Sequence, residues 1–259
     1  MILSSHNLTH IYLRLNSGHY MKEQMLYREL AKYYDKIYHW KDYTIETEKI
    51  KELIKQYKTT SGNSLLEVGC GTGHHIQHLQ DTFQCTGVDI NNEILEVARE
   101  KLPDTEFIQA NMISMDLGKK FDVITCLFSS IGYVKTYSNL MKTFDAFYSH
   151  LYNGGVAVVE PWFTSDVFDA GRPSVDVYED DNLKIARVCV SEVDGDISVL
   201  DMHYLVAERG ERVKHFIDRH ELGLFDVDKT LDIMNAVGFE AWYLPNGLME
   251  RRGLYIGKK

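Results

Sequence analysis

The sequence predicts an α/β fold built on a doubly wound, mostly parallel sheet of seven strands. Short apolar runs alternate with helix-like stretches between residues 64 and 160, a pattern typical of a parallel sheet with helices on both faces. A glycine-rich loop, Gly69-Cys70-Gly71-Thr72-Gly73, follows the first apolar run, and Asp89 ends the second run twenty residues after Gly69. In such a sheet, a loop and an acid at the ends of neighbouring strands mark a ligand site.

The N-terminal part of the chain predicts a lid over this sheet. Residues 1–24 predict a flexible leader, with Met21 and Met25 as alternative starts. Aromatic side chains crowd the stretch from residue 27 to residue 43, and residues 44–58 place apolar side chains at helical spacing. We therefore expect a leader, an aromatic segment and a helix before the first strand.

The alternating part then supplies five strands and three helices. Strands are predicted at 64–68, 85–88, 105–109, 121–127 and 156–160, and helices at 74–81, 91–101 and 137–151. Asn91 or Asn92 is expected to cap the second of these helices. Asn153-Gly154-Gly155 is expected to end the third, because glycine readily adopts the left-handed conformation of a helix stop.

After Pro161 the pattern changes to that of an antiparallel β insertion. Residues 175–179, 183–191, 197–207 and 212–224 are rich in residues that favour strands, with turn sequences between them. A helix at 226–237, stopped by Gly238, and strands at 239–244 and 253–257 complete the sheet. Residues 25–162 and 225–259 thus predict one ligand-binding domain with an N-terminal helical lid, and residues 163–224 an insertion that covers the substrate pocket.

Composition and charge exclude several classes of protein. The chain has 259 residues and a formal net charge of −10, whereas a nucleic-acid surface needs clustered Lys and Arg. No run reaches the ~20 apolar residues that a membrane span requires. The four cysteines are far apart and lie in apolar runs, which predicts free thiols and a cytoplasmic location. No metal site is predicted, because among the histidines at 74, 75 and 78, His74 and His78 would lie on a helix surface without a clear carboxylate partner.

The loop and the acid together predict an adenosine-type ligand. Asp89 is positioned to accept hydrogen bonds from both ribose hydroxyls, as acids at the end of the second strand do. A dinucleotide fingerprint requires a third glycine at the position that His74 occupies. Glu67, directly before the loop, suits an amine better than a pyrophosphate.

The run Leu65-Leu66-Glu67-Val68-Gly69-Cys70-Gly71-Thr72-Gly73, followed by Gly87-Val88-Asp89-Ile90, resembles the class I S-adenosylmethionine-dependent methyltransferases, whose domain is Rossmann-like. The resemblance implies that S-adenosylmethionine is the cofactor. It assigns the methionine end to Glu67, Gly69 and Gly71, the ribose to Asp89, and the adenine to Ile90, Asn111 and Met112. Asn111 departs from the acid that the family usually has there, and its amide oxygen is a weaker acceptor than a carboxylate.

Three further motifs resemble a narrower group, the bacterial N,N-dimethyltransferases of dTDP-linked amino-deoxysugars. They are Phe128-Ser129-Ser130-Ile131-Gly132-Tyr133, Glu160-Pro161-Trp162 and Arg251-Arg252-Gly253. The resemblance implies that Tyr38 and Tyr133 flank the reacting centre and are catalytic. It further implies cofactor contacts for Tyr34, Tyr43 and Leu127, and substrate contacts for Ser129, Glu160, Trp162, His220 and Arg252.

The expected reaction is the methylation of an amino group on a nucleotide-linked amino-deoxysugar, once or twice. Two alternatives stay open at this stage: an N-methyltransferase of another small-molecule amine or amino acid, and a catalytically silent scaffold that binds S-adenosylmethionine. The expected partner is a small-molecule amine, with neither nucleic acid nor membrane involved, and a homodimer is compatible with the resemblance.

Overall fold

The computed structural model describes residues 25–259, so the predicted leader at 1–24 lies outside the described residues. The described chain begins with two short 3-10 turns, Met25–Tyr27 and Ala31–Tyr33, and a one-turn helix α1, Tyr34–Ile37. Helix α2, Tyr43–Tyr57, follows. The carboxylate of Asp42 caps α2 by accepting the N–H groups of Thr44 and Ile45 at 3.1 Å.

The main sheet confirms the predicted α/β fold with seven mostly parallel strands. Its strands are β1 (Ser64–Val68), β2 (Gln84–Asp89), β3 (Glu106–Gln109), β4 (Phe121–Cys126), β5 (Leu151–Val159), β10 (Glu240–Leu244) and β11 (Leu254–Lys258). The strand order is β10-β11-β5-β4-β1-β2-β3. Only β11 runs against its two neighbours. The carboxyl ends of β1, β2 and β4 therefore meet at one edge, where the ligand site was expected.

Four helices accompany these strands: α3 (His74–Leu79), α4 (Asn92–Lys101), α5 (Tyr137–Ser149) and α6 (Val227–Val237). Gly238 ends α6 in the left-handed conformation with φ 119°, as predicted. Asn91 occupies the N-cap position of α4, but its side chain makes no capping hydrogen bond.

The predicted end of α5 is wrong. The helix ends at Ser149, and Asn153-Gly154-Gly155 lies inside β5 instead of stopping the helix. Gly154 has a φ of 83°, and the pairing of β5 with β4 shifts register between Phe121 and Val123. The glycine thus permits an irregularity in a strand that begins five residues earlier than the sequence indicated.

A second, antiparallel sheet has the order β6-β7-β8-β9. Its strands are β6 (Pro173–Glu179), β7 (Leu183–Asp194), β8 (Ile197–Glu208) and β9 (Lys214–Gly223). Buried side chains of β7 and β8, including Ile185 and Tyr204, pack against Leu26, Leu30 and Tyr34 of the N-terminal segment. The second sheet and the N-terminal segment together close over the edge of the main sheet. The boundaries of the predicted insertion and lid stay a prediction.

Across residues 25–259, none of the helices combines the length and the apolar character that crossing a bilayer would demand.

Candidate active site

One cavity of about 690 Å³ lies between the edge of the main sheet, the N-terminal segment and the second sheet. This volume is in the range of small-molecule sites. Every predicted site residue except Glu67 and Glu160 lines it: Tyr34, Tyr38, Tyr43, Gly69, Gly71, Asp89, Ile90, Asn111, Met112, Leu127, Ser129, Tyr133, Trp162, His220 and Arg252. The cavity is continuous from the glycine loop to Arg252.

The glycine loop forms the floor of one half of the cavity. Gly69, Gly71 and Gly73 have φ values of 69°, 54° and 76°, which side chains rarely adopt. A Cβ on Gly69 would also lie 2.7 Å from Cβ and Oγ of Ser130. Only glycine therefore lets the backbone at position 69 pack this closely against Ser130.

Asp89 connects the loop to the end of β2. Its Oδ2 accepts the N–H of Gly71 at 3.1 Å, and its Oδ1 accepts the N–H of Asn91 at 3.0 Å. Burial raises the pKa of Asp89, although the backbone hydrogen bonds act in the opposite direction. A ligand hydroxyl that donates to this carboxylate would offset part of its desolvation.

Two of the three residues predicted to contact adenine, Asn111 and Met112, line the cavity together with this loop. The side chain of Met112 reaches within 3.8 Å of the Cβ position of Gly69. Asn111 Oδ1 already accepts the N–H of Ile113 at 2.9 Å. The amide oxygen of Asn111 therefore has one further lone pair for a ligand.

Behind the loop, Glu67 is buried and contacts His75 rather than the cavity. Glu67 Oε1 lies 3.0 Å from His75 Nδ1, and Glu46 Oε2 lies 3.0 Å from His75 Nε2. Lys41 pairs with the other oxygen of Glu46. Burial lowers the pKa of His75, but the hydrogen bonds that its ring donates to Glu46 and Glu67 outweigh burial and raise the pKa to about 9. Glu67 Oε2 is buried without a partner among the described residues.

The N-terminal segment contributes an aromatic wall. Tyr34 and Tyr38 have ring centroids 4.8 Å apart, and Tyr43 stacks on His74 at 4.5 Å. Tyr38 Oη accepts a hydrogen bond from Arg187 Nη1 at 3.1 Å. Burial raises the pKa of Tyr38 although the charge of Arg187 acts to lower it. Sequence reasoning missed Arg187, which lies on β7 and has no motif around it.

The turn after β4 is strained. Phe128 and Ser129 have φ values of 50° and 63°, which for residues with a Cβ costs on the order of 1 kcal/mol each. Glu160 Oε2 accepts the N–H of Phe128 at 2.7 Å, and Glu160 is fully buried outside the cavity wall. Glu160 therefore supports this turn, and its predicted contact with the sugar stays a prediction.

Arg252 closes the far half of the cavity. Its guanidinium carbon lies 4.6 Å from the ring centroid of Trp162 and 4.5 Å from that of Phe163. Nη1 donates to Ser129 Oγ at 2.9 Å, whereas Nε is buried without a partner among the described residues. Burial lowers the pKa of Arg252. A buried guanidinium with an unused donor suits an anionic ligand.

Tyr133 lines the same cavity as Arg252. Its hydroxyl contacts two residues that no sequence motif connected to it. Tyr133 Oη lies 2.7 Å from His220 Nδ1 and 2.8 Å from Tyr27 Oη. Tyr27 is therefore the tyrosine that forms a hydrogen bond with Tyr133. Its signal in the sequence was the aromatic stretch 27–43, which did not distinguish one tyrosine from another.

His74 does have a carboxylate partner, so the expectation that it lacks one is wrong. His74 Nε2 lies 2.9 Å from Asp35 Oδ1, and Asp35 is also paired with Lys101 and with the hydroxyl of Thr72. These partners come from distant segments and are not visible as a local motif. Within the described part of the chain, no cluster of three or more His, Cys, Asp or Glu side chains can hold a metal ion.

Known proteins are similar to this chain in sequence and in fold. Residues 65–155 match a family described as a methyltransferase domain. The chain is 38% identical over 218 residues to the dTDP-3-amino-3,4,6-trideoxy-alpha-D-glucopyranose N,N-dimethyltransferase of Streptomyces venezuelae, and the match covers 84% of this chain and 91% of that protein. The chain belongs to the methyltransferase family that contains this enzyme.

Two solved structures of methyltransferases extend the comparison. The sugar N-methyltransferase KedS8 from a Streptoalloteichus species has a TM-score of 0.81 and 34% identity, with 87% of this chain and 92% of that chain covered. CalS10, an amino pentose methyltransferase from Micromonospora echinaspora solved with S-adenosylmethionine, has a TM-score of 0.75 and 28% identity, with 84% and 91% covered. This methyltransferase therefore uses S-adenosylmethionine.

The residues of the loop half fit that cofactor. Gly69 and Gly71 bring backbone without side chains to the cavity wall, and the unpartnered Glu67 Oε2 is a buried acceptor, which suits an ammonium group reached through water. The carboxylate of Asp89 lies at the end of β2, where it would bind the hydroxyls of a ribose.

Proposed function

We propose that this methyltransferase transfers methyl groups to the amino group of a nucleotide-linked amino-deoxysugar, once or twice. One observation carries the nucleotide part of the proposal. Arg252 is buried in the cavity wall and forms no ion pair within 4.0 Å among residues 25–259. An unpaired buried cation is costly, and a diphosphate bound there would compensate its charge.

The relatives support an amine as the nucleophile. The N,N-dimethyltransferase of Streptomyces venezuelae is named for a 3-amino sugar carried on dTDP, and KedS8 for a sugar N-methyltransferase. In this chain the half of the cavity between Tyr133 and Arg252 is lined by aromatic and polar side chains, including Trp162 and His220. We call it the acceptor half, and the part formed by the glycine loop and Asp89 the cofactor half.

The residues act mainly by alignment and by exclusion of water. When bound, S-adenosylmethionine supplies a methyl group on a sulfonium sulfur, and the electron pair of the broken C–S bond stays on that sulfur. Gly69, Gly71 and Asp89 would hold the cofactor, and Arg252 would hold the acceptor by its phosphates. Tyr34 and Tyr38 close the space between them. Alignment of this kind supplies much of the rate when the leaving group is already activated.

The proposal is tested by incubating the protein with S-adenosylmethionine and a panel of dTDP-aminosugars that differ in the position of the amine. Mass spectrometry is expected to detect products heavier by one or two methylene units. The same sugars without the nucleotide, and simple free amines, are the controls.

Faster methylation of a free amine or an amino acid than of any dTDP-aminosugar would favour the alternative substrate class. If no amine yields S-adenosylhomocysteine although S-adenosylmethionine binds, a catalytically silent scaffold is the better description. A thermal shift with dTDP alone isolates the nucleotide contribution, since it is expected to stabilise the wild type and not Arg252→Met.

Three further expectations belong to the same proposal. The described cysteines are all free thiols, three of them buried, which supports a reducing compartment such as the cytoplasm. A homodimer is to be tested by light scattering. The division into a lid, a methyltransferase domain and an insertion at 163–224 is to be tested by limited proteolysis with and without cofactor.

A further inference from the structure

Four side chains form a continuous chain of hydrogen bonds along the acceptor half of the cavity. Tyr27 Oη lies 2.8 Å from Tyr133 Oη, Tyr133 Oη lies 2.7 Å from His220 Nδ1, and His220 Nε2 lies 2.8 Å from Asp218 Oδ2. The two tyrosines and the histidine line the cavity, whereas Asp218 lies fully buried behind them. Asp218 thus reaches the cavity through His220, and the two tyrosines continue the chain along the cavity wall.

The inner end of the chain fixes the position of its hydrogen atoms. Asp218 accepts the N–H of Met25 at Oδ1 and the N–H of Leu26 at Oδ2, both at 2.9 Å. Both oxygens of Asp218 thus act as acceptors, and we assign the hydrogen of the His220–Asp218 bond to His220 Nε2. His220 Nδ1 is then an acceptor, and the hydroxyl of Tyr133 donates to it.

The outer end of the chain consequently presents lone pairs to the cavity. Tyr133 uses its hydrogen on His220, so Tyr27 donates to Tyr133 and keeps only acceptor capacity on its own oxygen. Burial raises the pKa of both phenols well above the usual value, so each stays a neutral hydroxyl that can pass a proton on. A protonated amine in the cavity is a donor that matches this end.

We propose that Tyr27, Tyr133, His220 and Asp218 form a proton relay that removes the proton of the acceptor ammonium before the nitrogen attacks. This inference rests on the proposed function, because only an amine acceptor brings such a proton. The N–H bond of the ammonium breaks and its electron pair stays on nitrogen. The proton goes to Tyr27 Oη, the hydroxyl hydrogen of Tyr27 moves to Tyr133 Oη, and the hydroxyl hydrogen of Tyr133 moves to His220 Nδ1.

The relay ends with a compensated charge. His220 becomes an imidazolium whose charge is balanced by Asp218, in the arrangement that a carboxylate, a histidine and a hydroxyl adopt in hydrolases. The proton then leaves His220 for solvent when the product departs. After a first methylation the amine again carries a proton, so the same relay prepares the second transfer. Asp218 and His220 do not touch the reacting nitrogen and are positioning residues.

Other charged and titratable groups surround the relay and enter its pH dependence. They come from the N-terminal segment (Arg28, Tyr34, Tyr38), from the end of β2 (Asp89), from the second sheet (Asp176, Arg187, Arg219, Glu221) and from the turn after β4 (Lys135). Arg187 is paired with Asp176, and Lys135 and Arg219 are both paired with Glu221. His220 contacts the carboxylate of Asp218 and takes part in none of these three ion pairs.

The test compares pH profiles of kcat/KM for His220→Gln and Asp218→Asn with those of matched controls on the same sheet, His215→Gln and Asp194→Asn. His215 and Asp194 are both exposed and lie outside the cavity lining. With an acceptor amine of pKa near ~8, we expect a loss of about 100-fold near pH 6.5 that shrinks to about threefold near pH 9.5, where water has already deprotonated the amine. The controls are expected to follow the wild type.

An equal loss at every pH would overturn the relay and leave only a structural role for His220 and Asp218. A second measurement needs no variant and no turnover: nitrogen NMR of the wild type is expected to show the hydrogen of His220 on Nε2 at neutral pH, and a hydrogen on Nδ1 alone would overturn the inference. If the wild type methylates no amine at all, the proposed function fails, and the NMR result still decides whether the hydrogen-bond chain has the stated direction.

Discussion

The two halves of the cavity are built in different ways. The cofactor half is local: Gly69, Gly71 and Asp89 lie within 21 residues of one another, and Asp89 binds the loop N–H directly. The acceptor half is assembled from distant parts of the chain, since Tyr27 and Tyr133 are 106 residues apart and Ser129 and Arg252 are 123 apart. The cofactor half depends on backbone shape, whereas the acceptor half depends on side chains that meet only after two sheets have closed.

The largest expected effect is in the cofactor half. Asp89→Ala removes a carboxylate that holds the N–H groups of Gly71 and Asn91 and that would bind the ribose. Each hydrogen bond to a charged group is worth ~1.5–3 kcal/mol, so we expect the affinity for S-adenosylhomocysteine to fall by at least about 100-fold, measured by calorimetry. Asp116→Ala, in the exposed turn before Gly118, is the control, and unchanged affinity in Asp89→Ala would remove the distinction between the halves.

A pH effect on stability is expected next, from the buried layer beneath the cofactor half. The pKa of His75, about 9 in the folded chain, lies above the unfolded value of about 6.5. The protonated histidine therefore stabilises the fold fully below about pH 6.5, and this stabilisation is lost as the pH rises to about 9, by up to about 3 kcal/mol. Chemical denaturation at several pH values measures the slope.

His75→Gln is the matched variant for that experiment. The loss of stability that it causes, relative to the wild type, is expected to be greatest near pH 6 and to shrink towards pH 9. A pH-independent difference between the two proteins would contradict a protonated His75 between Glu46 and Glu67.

A smaller, selective effect is expected in the acceptor half. Arg252→Lys keeps the charge but loses the planar contact with Trp162 and Phe163 and the hydrogen bond to Ser129. We expect the KM for a dTDP-aminosugar to rise by about 10- to 100-fold, or ~1–3 kcal/mol, while the affinity for the cofactor stays the same. A comparable loss of cofactor affinity would show that the halves are not separable.

The smallest expected effect distinguishes backbone strain from close approach. Gly69 and Gly118 have similar φ values of 69° and 64°, but a Cβ on Gly69 would meet Ser130 at 2.7 Å, whereas nothing lies within 4 Å of a Cβ on Gly118. Both substitutions to alanine are expected to cost ~1 kcal/mol of stability. Only Gly69→Ala is expected also to lower cofactor affinity, by about tenfold, and equal behaviour in a binding titration would argue against the close approach.

The sequence by itself determined the fold class and the cofactor half. Alternation of apolar runs and helical stretches is a local property, and the strands of the main sheet were predicted to within a few residues except at β5, where Gly154 accommodates a bulge. Gly69 and Asp89 were identifiable because a loop of positive φ and the acid that binds it lie close together in the chain.

Only the tertiary structure decided the contacts of the acceptor half. Nothing in the sequence distinguishes Tyr27 from its aromatic neighbours or links Asp218 to His220 and Tyr133, because these contacts form when β9, the turn after β4 and the N-terminal segment pack together. The structure also shows that Glu160 supports a strained turn, a contact that no motif in the sequence indicated. Backbone geometry is encoded residue by residue, whereas hydrogen bonds between distant side chains depend on how the layers close.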